Sequence, residues 1–213
     1  KLRSGNTGDN PFKKKEVRQA LYQAIDIEAI KKKVMRGLSE PAGIITFPGV
    51  NGYTKELDKR LPYDVDAAKK LLADAGYPKG FDVELRCPND RYVNDEAICT
   101  AVVGMLGKIG VNVNLFAQTK SKHFKELKED KGDFYMLGWG VPTLDSHYVF
   151  HYLYESGASW NKVNFSNSEV DAAIRVMEGE VDLDKRNAAI ANAWKIVKDD
   201  ISYLPLHLSL IHI

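Results

Sequence analysis

The chain has no long apolar run. Nothing in it approaches the roughly 20 apolar residues that a membrane-spanning helix needs. The opening residues, Lys1-Leu2-Arg3-Ser4-Gly5, lack the hydrophobic core of a secretion signal. There are only two cysteines, Cys87 and Cys99, too few for a disulfide scaffold or a structural zinc site. Two states stay open for them: one disulfide, which an oxidising compartment would permit, or two free thiols. Net charge is almost absent, at +1 over 213 residues, and this argues against a nucleic-acid partner. The basic runs Lys13-Lys14-Lys15 and Lys31-Lys32-Lys33 fall where helix surfaces are expected and read as solvated faces. There is no Gly-x-Ser-x-Gly elbow, no phosphate loop closing on Lys-Ser or Lys-Thr, and no Cys-x-x-Cys. Nothing argues positively for an enzyme.

What is present suits one large domain or two small ones. Hydrophobic residues make up 44% and charged residues 28%, enough for a real core under an ordinary polar surface. Residues 1 to 12 read as an extended lead-in. Val17, Ala20, Leu21, Ala24 and Ile25 then recur at helical spacing, and a second short helix is expected from Ile27 to Arg36. The Gly- and Pro-rich segment from Leu38 to Pro62 reads as a long ordered loop with a short strand near Ile44 to Phe47. Asp64 is a good N-cap for a helix from Val65 to Ala75, and Gly76 suits its C-terminal end. Strands at Phe81 to Arg86, Val111 to Ala117 and Asp133 to Trp139 alternate with helices at Asn94 to Ile109 and Lys122 to Glu129. Alternation of this kind predicts an α/β layer with crossovers. Helices are expected again at Asp145 to Tyr154, Asn167 to Glu178 and Asp184 to Asp199, followed by a strand or crossing segment from Ile201 to Leu208.

Two loops carry the candidate chemistry. An apolar run ends on Gly138-Trp139-Gly140 and leads into Val141-Pro142-Thr143-Leu144-Asp145-Ser146-His147-Tyr148. An indole at the end of a strand makes one wall of a ligand cleft, and Asp145 can pair with an amine or hydroxyl. The competing reading puts Trp139 in the core and Asp145 at a helix cap. The second loop is Cys87-Pro88-Asn89-Asp90-Arg91-Tyr92. Loops at the carboxyl ends of strands line the crevice of an open α/β sheet. There Arg91 suits an anion clamp and Tyr92 a stacking partner. His123, His147, His151, His207 and His212 form no compact ligand set. His147 and His151 stand at i, i+4, with no third ligand evident in the sequence.

Taken in order, these pieces and others match a known pattern. They include Asn10-Pro11-Phe12, Val17-Arg18-Gln19-Ala20-Leu21 and Ala24-Ile25-Asp26. They continue through Tyr63-Asp64, Ala68-Lys69-Lys70-Leu71-Leu72, Ala75-Gly76-Tyr77-Pro78 and Gly80-Phe81. Lys108-Ile109-Gly110-Val111, Gly138-Trp139, Phe165-Ser166-Asn167, Val170-Asp171 and Leu204-Pro205-Leu206 complete the set. In this order the chain resembles the bacterial solute-binding proteins of peptide-type ABC importers, the dipeptide, oligopeptide and nickel group.

The resemblance implies an α/β fold: a periplasmic-binding-protein-like lobe with a mixed sheet flanked by helices. It implies that residues 1–208 are the C-terminal lobe of a two-lobe protein whose N-terminal lobe is absent here, and that residues 209–213 are a truncation or scar. The expected activity is binding a peptide or similar small solute by lobe closure, without catalysis, cofactor or metal. The expected partners are that solute, the N-terminal lobe and a membrane permease, outside the cytoplasm (periplasmic or extracellular, membrane-associated through the transporter). The ligand-binding residues would be Trp139, Gly140, Asp145, Tyr148, Asn89, Arg91 and Tyr92. Relatives often carry an Asp three residues beyond the Trp, where this chain has Pro142. Two alternatives stand beside this reading. One is nickel or another metal chelate bound in the same family; the other is a small α/β hydrolase using Asp145 with His147 or His151.

Overall fold

Gly80 and Gly110 each stand one residue before a strand, and the two strands run side by side in parallel. A β-carbon on Gly80 would fall 1.8 Å from the Gly110 carbonyl oxygen, and Gly80 has a φ of +75°. Only glycine meets both demands, so the strand pair is brought together tightly at its entrance. The computed structural model describes residues 10–210, in two compact units. The first holds residues 10–41, 61–138 and 206–210; the second is Ala42–Arg60 with Trp139–Pro205. The expected extended lead-in lies outside the described residues except for positions 10–12, where Asn10 caps a 3-10 turn, Pro11–Lys13, in place of extended chain.

In the first unit, α1 (Lys15–Ala24) buries Val17, Ala20, Leu21 and Ala24, the stripe its spacing predicts. Asp26 caps α2 (Ile27–Ala29), and Ile30–Val34 continue as a π-helical turn closed by Met35 N–H on the Ile30 carbonyl at 3.0 Å. Strand β1 (Ser39–Pro41) follows. Asp64 caps α3 (Val65–Asp74) by accepting from Ala67 N–H at 2.8 Å. Then come β2 (Phe81–Pro88), α4 (Asp95–Gly107), β3 (Val111–Gln118), α5 (Lys120–Lys128), β4 (Phe134–Tyr135) and β5 (His207–Ser209). The parallel sheet has the order β3-β2-β4, while β1 and β5 pair antiparallel in a sheet of their own. This is the mixed α/β class expected. Ser209, set aside in the sequence reading, takes part in β5 opposite Ser39; residues 211–213 lie outside the described ones.

Cys87 at the end of β2 and Cys99 in α4 form a disulfide. Arg86 lies over the Phe116 ring and pairs with Glu84 at 2.8 Å and Glu126 at 3.1 Å. A cation this buried needs such partners.

The second unit is helical. It contains α6 (His147–Val149), a π-helical turn over Phe150–Tyr154, α7 (Ser168–Gly179) and α8 (Leu183–Asp200). Its core gathers Phe150, Leu153, Tyr154, Val170, Ile174, Ile190, Ala193 and Trp194. Trp194 Nε1 donates to Ser146 Oγ at 3.0 Å, and Ser146 Oγ donates to the Asn51 carbonyl at 2.6 Å. The 42–60 loop is thus anchored to α8 through one buried hydroxyl.

Other expected elements differ as well, and the strand expected within Ile201 to Leu208 forms only at His207–Ser209. No strand forms at Ile44 to Phe47, because the N–H groups of Gly43 and Ile44 donate to the Asp58 carboxylate at 2.7 and 3.3 Å. Strand β4 stops at Tyr135, short of Trp139. Its sheet partner Arg86 takes one more bond, from Met136 N–H, and then side chains take over: His123 Nε2 meets the Met136 carbonyl at 3.0 Å, and Tyr92 donates to Gly138. The expected helix from Asp145 starts only at His147, since Asp145 pairs with Asn51 in an isolated parallel bridge.

Candidate functional site

The residues proposed from sequence divide between the two units, whose chain boundary falls between Gly138 and Trp139. In the first unit the loop after β2 is shaped by Asp95, which sequence reasoning missed. Its buried carboxylate accepts from Arg91 N–H and Tyr92 N–H, both at 3.0 Å, and from Glu96 N–H at 2.9 Å. Three backbone donors on one carboxylate hold the loop in a single shape. Arg91 and Asn89 are exposed, and the Arg91 guanidinium lies 5.0 Å from the Tyr92 ring centre. The Tyr92 hydroxyl donates to the Gly138 carbonyl at 3.4 Å. Burial pushes the Tyr92 phenol up, against the opposing pull of that hydrogen bond and of Arg91. A β-carbon on Gly138 would come within 2.6 Å of the Tyr92 ring, so the glycine of the Gly-Trp pair leaves room for this tyrosine.

In the second unit Trp139 is half-buried among three other rings. It meets Tyr148 at 5.9 Å, Tyr152 at 6.0 Å and Trp160 at 6.0 Å, and Tyr148 meets Tyr152 at 4.8 Å. Tilted and edge-on geometries at these spacings are favourable. The Trp139 indole N–H is buried and has no acceptor among the described residues. Tyr152 was legible in principle, four residues beyond Tyr148 on one helix face. Trp160 carried no such local signal. Gly140 is exposed, with open space where a side chain would be.

Asp145 is occupied by its own protein. Arg186 makes a two-pronged pair with it at 2.8 and 2.9 Å, Asn51 donates at 3.0 Å and His147 N–H at 2.9 Å. Burial alone would raise its pKa. The Arg186 guanidinium, the Asn51 amide and the His147 N–H outweigh that and hold the carboxyl at about 2, below its usual 3.8. A carboxylate so acidic is a poor general base at neutral pH.

A stability prediction follows from this depressed pKa. The pairing contributes fully above the ordinary value of 3.8 and is lost as pH falls through about 2. With solvent screening of a side chain 22% exposed, the contribution is about 1–2 kcal/mol. Denaturant unfolding of wild type and Asp145→Asn should therefore differ by a constant amount above pH 5, and the gap should shrink by about that much towards pH 2. A gap that does not vary with pH would contradict the assignment.

His147 and His151 have a third donor after all. Glu178 of α7 brings a carboxylate oxygen to them, and one donor atom from each of the three residues lies within 4.8 Å of the others. No local spacing could have revealed a partner 27 residues further along the chain.

The sequence pattern of the bacterial extracellular solute-binding proteins, family 5 Middle, matches residues 4–161. The chain belongs to this family. As a family 5 protein it is 30% identical to heme-binding protein A of Haemophilus influenzae, over 94% of this chain and 38% of that protein. A glutathione-binding protein of Salmonella typhimurium is 25% identical over 95% of this chain and 41% of its own length. A solved dipeptide-binding protein of Pseudoalteromonas sp. SM9913, in complex with Met-Leu, is 28% identical. It superposes with a TM-score of 0.85 over 98% of this chain and 42% of its own. The chain thus spans about two fifths of the length of these relatives. All three are binding proteins, and the family is extracytoplasmic. Among the described residues no helix is long and apolar enough to cross a membrane.

Proposed function

We propose that this chain is the C-terminal lobe of the solute-binding component of an ABC importer, taking a peptide or similar small solute by closure of two lobes. The observation that carries the reading is the ring cluster around Trp139, with an indole donor that nothing in the described residues satisfies. A buried N–H without an acceptor costs about 1–3 kcal/mol, and an acceptor from the solute or from the other lobe removes that cost. On the second unit Trp139 and Tyr148 serve as apolar contacts and Gly140 leaves the approach to them open; on the first unit Arg91, with Asn89 and Tyr92, is a separate candidate contact for a carboxylate. Asp145 acts one step back, locking the turn that presents Tyr148. Closure shields the solute from water, as in other hinged binding proteins. The partners in this reading are the N-terminal lobe and a membrane permease.

Calorimetry of the whole protein against a panel of short peptides tests the proposal. Trp139→Ala should weaken the best ligand by roughly 30-fold or more, the scale of a buried aromatic hot spot. Unchanged affinity in that variant, or no peptide bound at all, would overturn it.

A further inference from the structure

The group formed by His147, His151 and Glu178 lies on the second unit and takes no part in the solute reading. His147 is the first residue of α6, His151 lies in the π-helical turn that follows, and Glu178 lies near the end of α7. The two imidazoles stack at 5.6 Å with a 27° tilt. Glu178 Oε1 is 3.4 Å from His147 Nε2 and 3.9 Å from His151 Nδ1. Glu155 Oε2 lies 2.9 Å from the same His151 nitrogen, yet His151 Nδ1 makes no aligned hydrogen bond among the described residues. One carboxylate oxygen therefore faces two ring nitrogens. A single hydrogen bond serves only one of them, whereas a cation between them serves both.

We infer that His147, His151 and Glu178 bind a divalent first-row transition ion of the zinc type, with Glu155 beside His151. Two imidazole nitrogens and carboxylate oxygens are the ligand set that zinc, nickel and copper prefer over calcium or magnesium. Zinc bonds of about 2.0–2.2 Å place neighbouring ligand atoms a little over 3 Å apart. The donor atoms of His147, His151 and Glu178 lie within 4.8 Å of one another, and side-chain rotation brings them to that spacing. All four side chains are partly exposed, with side-chain accessibilities of 29% and 42% for the histidines and 45% and 36% for Glu178 and Glu155, so an ion enters without opening the core. The bound ion clips the turn carrying His151 to α7. His147 and His151 directly precede Tyr148 and Tyr152, two of the rings packed on Trp139. Occupancy thus steadies the aromatic cluster, and metal binding becomes visible in tryptophan fluorescence.

The test is titration of the whole protein with Zn2+ alone, no solute being present, followed by calorimetry and by indole emission. One equivalent is expected to bind, with a rise in Tm in the presence of the ion. His151→Ala and, separately, Glu178→Gln should each weaken binding at least about tenfold. Circular dichroism of both variants should match the wild type. Glu178 is exposed enough that its amide variant keeps the test valid should His151→Ala misfold. No uptake of Zn2+ at concentrations on the order of 100 μM, or equal binding by wild type and Glu178→Gln, would overturn the inference. Peptide affinity of Glu178→Gln, measured without metal, should stay at the wild-type level, so failure here and failure of the solute reading can be told apart.

Discussion

Replacing Trp194 with alanine should remove about 4 kcal/mol of stability, the typical cost of deleting a fully buried indole. Trp194 is 1% exposed and packs on Phe150 at 4.6 Å and on Tyr154 at 6.4 Å. It also holds Ser146 Oγ, the hydroxyl that anchors the 42–60 loop. Truncation opens a cavity and deprives that hydroxyl of its donor at once. Trp194→Phe keeps much of the packing and loses the hydrogen bond, so a loss of about 1–2 kcal/mol is expected there. Urea unfolding of the three proteins gives the comparison. A loss below about 2 kcal/mol for the alanine variant would mean that the core can collapse around the gap, against the packing described above.

The second large effect concerns Cys87 and Cys99. Their disulfide closes a loop of sequence separation 12, with both residues buried. Loop-closure entropy assigns such a cross-link about 3 kcal/mol. Reduction of the wild type should therefore lower its Tm by a clear margin, while the double variant Cys87→Ala/Cys99→Ala should be insensitive to reductant and no more stable than reduced wild type. Equal melting of oxidised and reduced protein would sink the prediction. A disulfide in this place accords with a family that works outside the cytoplasm.

Much of the framework was legible because its causes are local. Asp64 and Gly76 bracket α3 through one cap at each end, and alternation in Val111, Val113 and Leu115 marks β3. The pairing of the cysteines was not legible, since spacing alone does not say whether β2 and α4 bring the two sulfurs together. Asp145 shows the same limit in the site. A loop aspartate before a helix reads equally well as a cap or as a ligand contact, and the residue that occupies it, Arg186, is 41 positions away. The ring partners of Trp139 were half legible: Tyr148 and Tyr152 share a helix face, whereas Trp160 arrives by way of an irregular loop. The strand expected near Ile44 failed because a side chain, Asp58, satisfied backbone donors that a strand would have needed a neighbour to meet. Such substitution of side chain for sheet leaves no periodic trace.

The antiparallel pair of β1 and β5 has a consequence for how the molecule is made. Ser39 emerges from the ribosome some 170 residues ahead of its partner Ser209. By then the whole of the second unit and the parallel sheet have been synthesised. Over that interval the nascent chain carries a short strand whose ladder has no mate. Its small size and the proline at its end keep it a poor template for pairing with other chains.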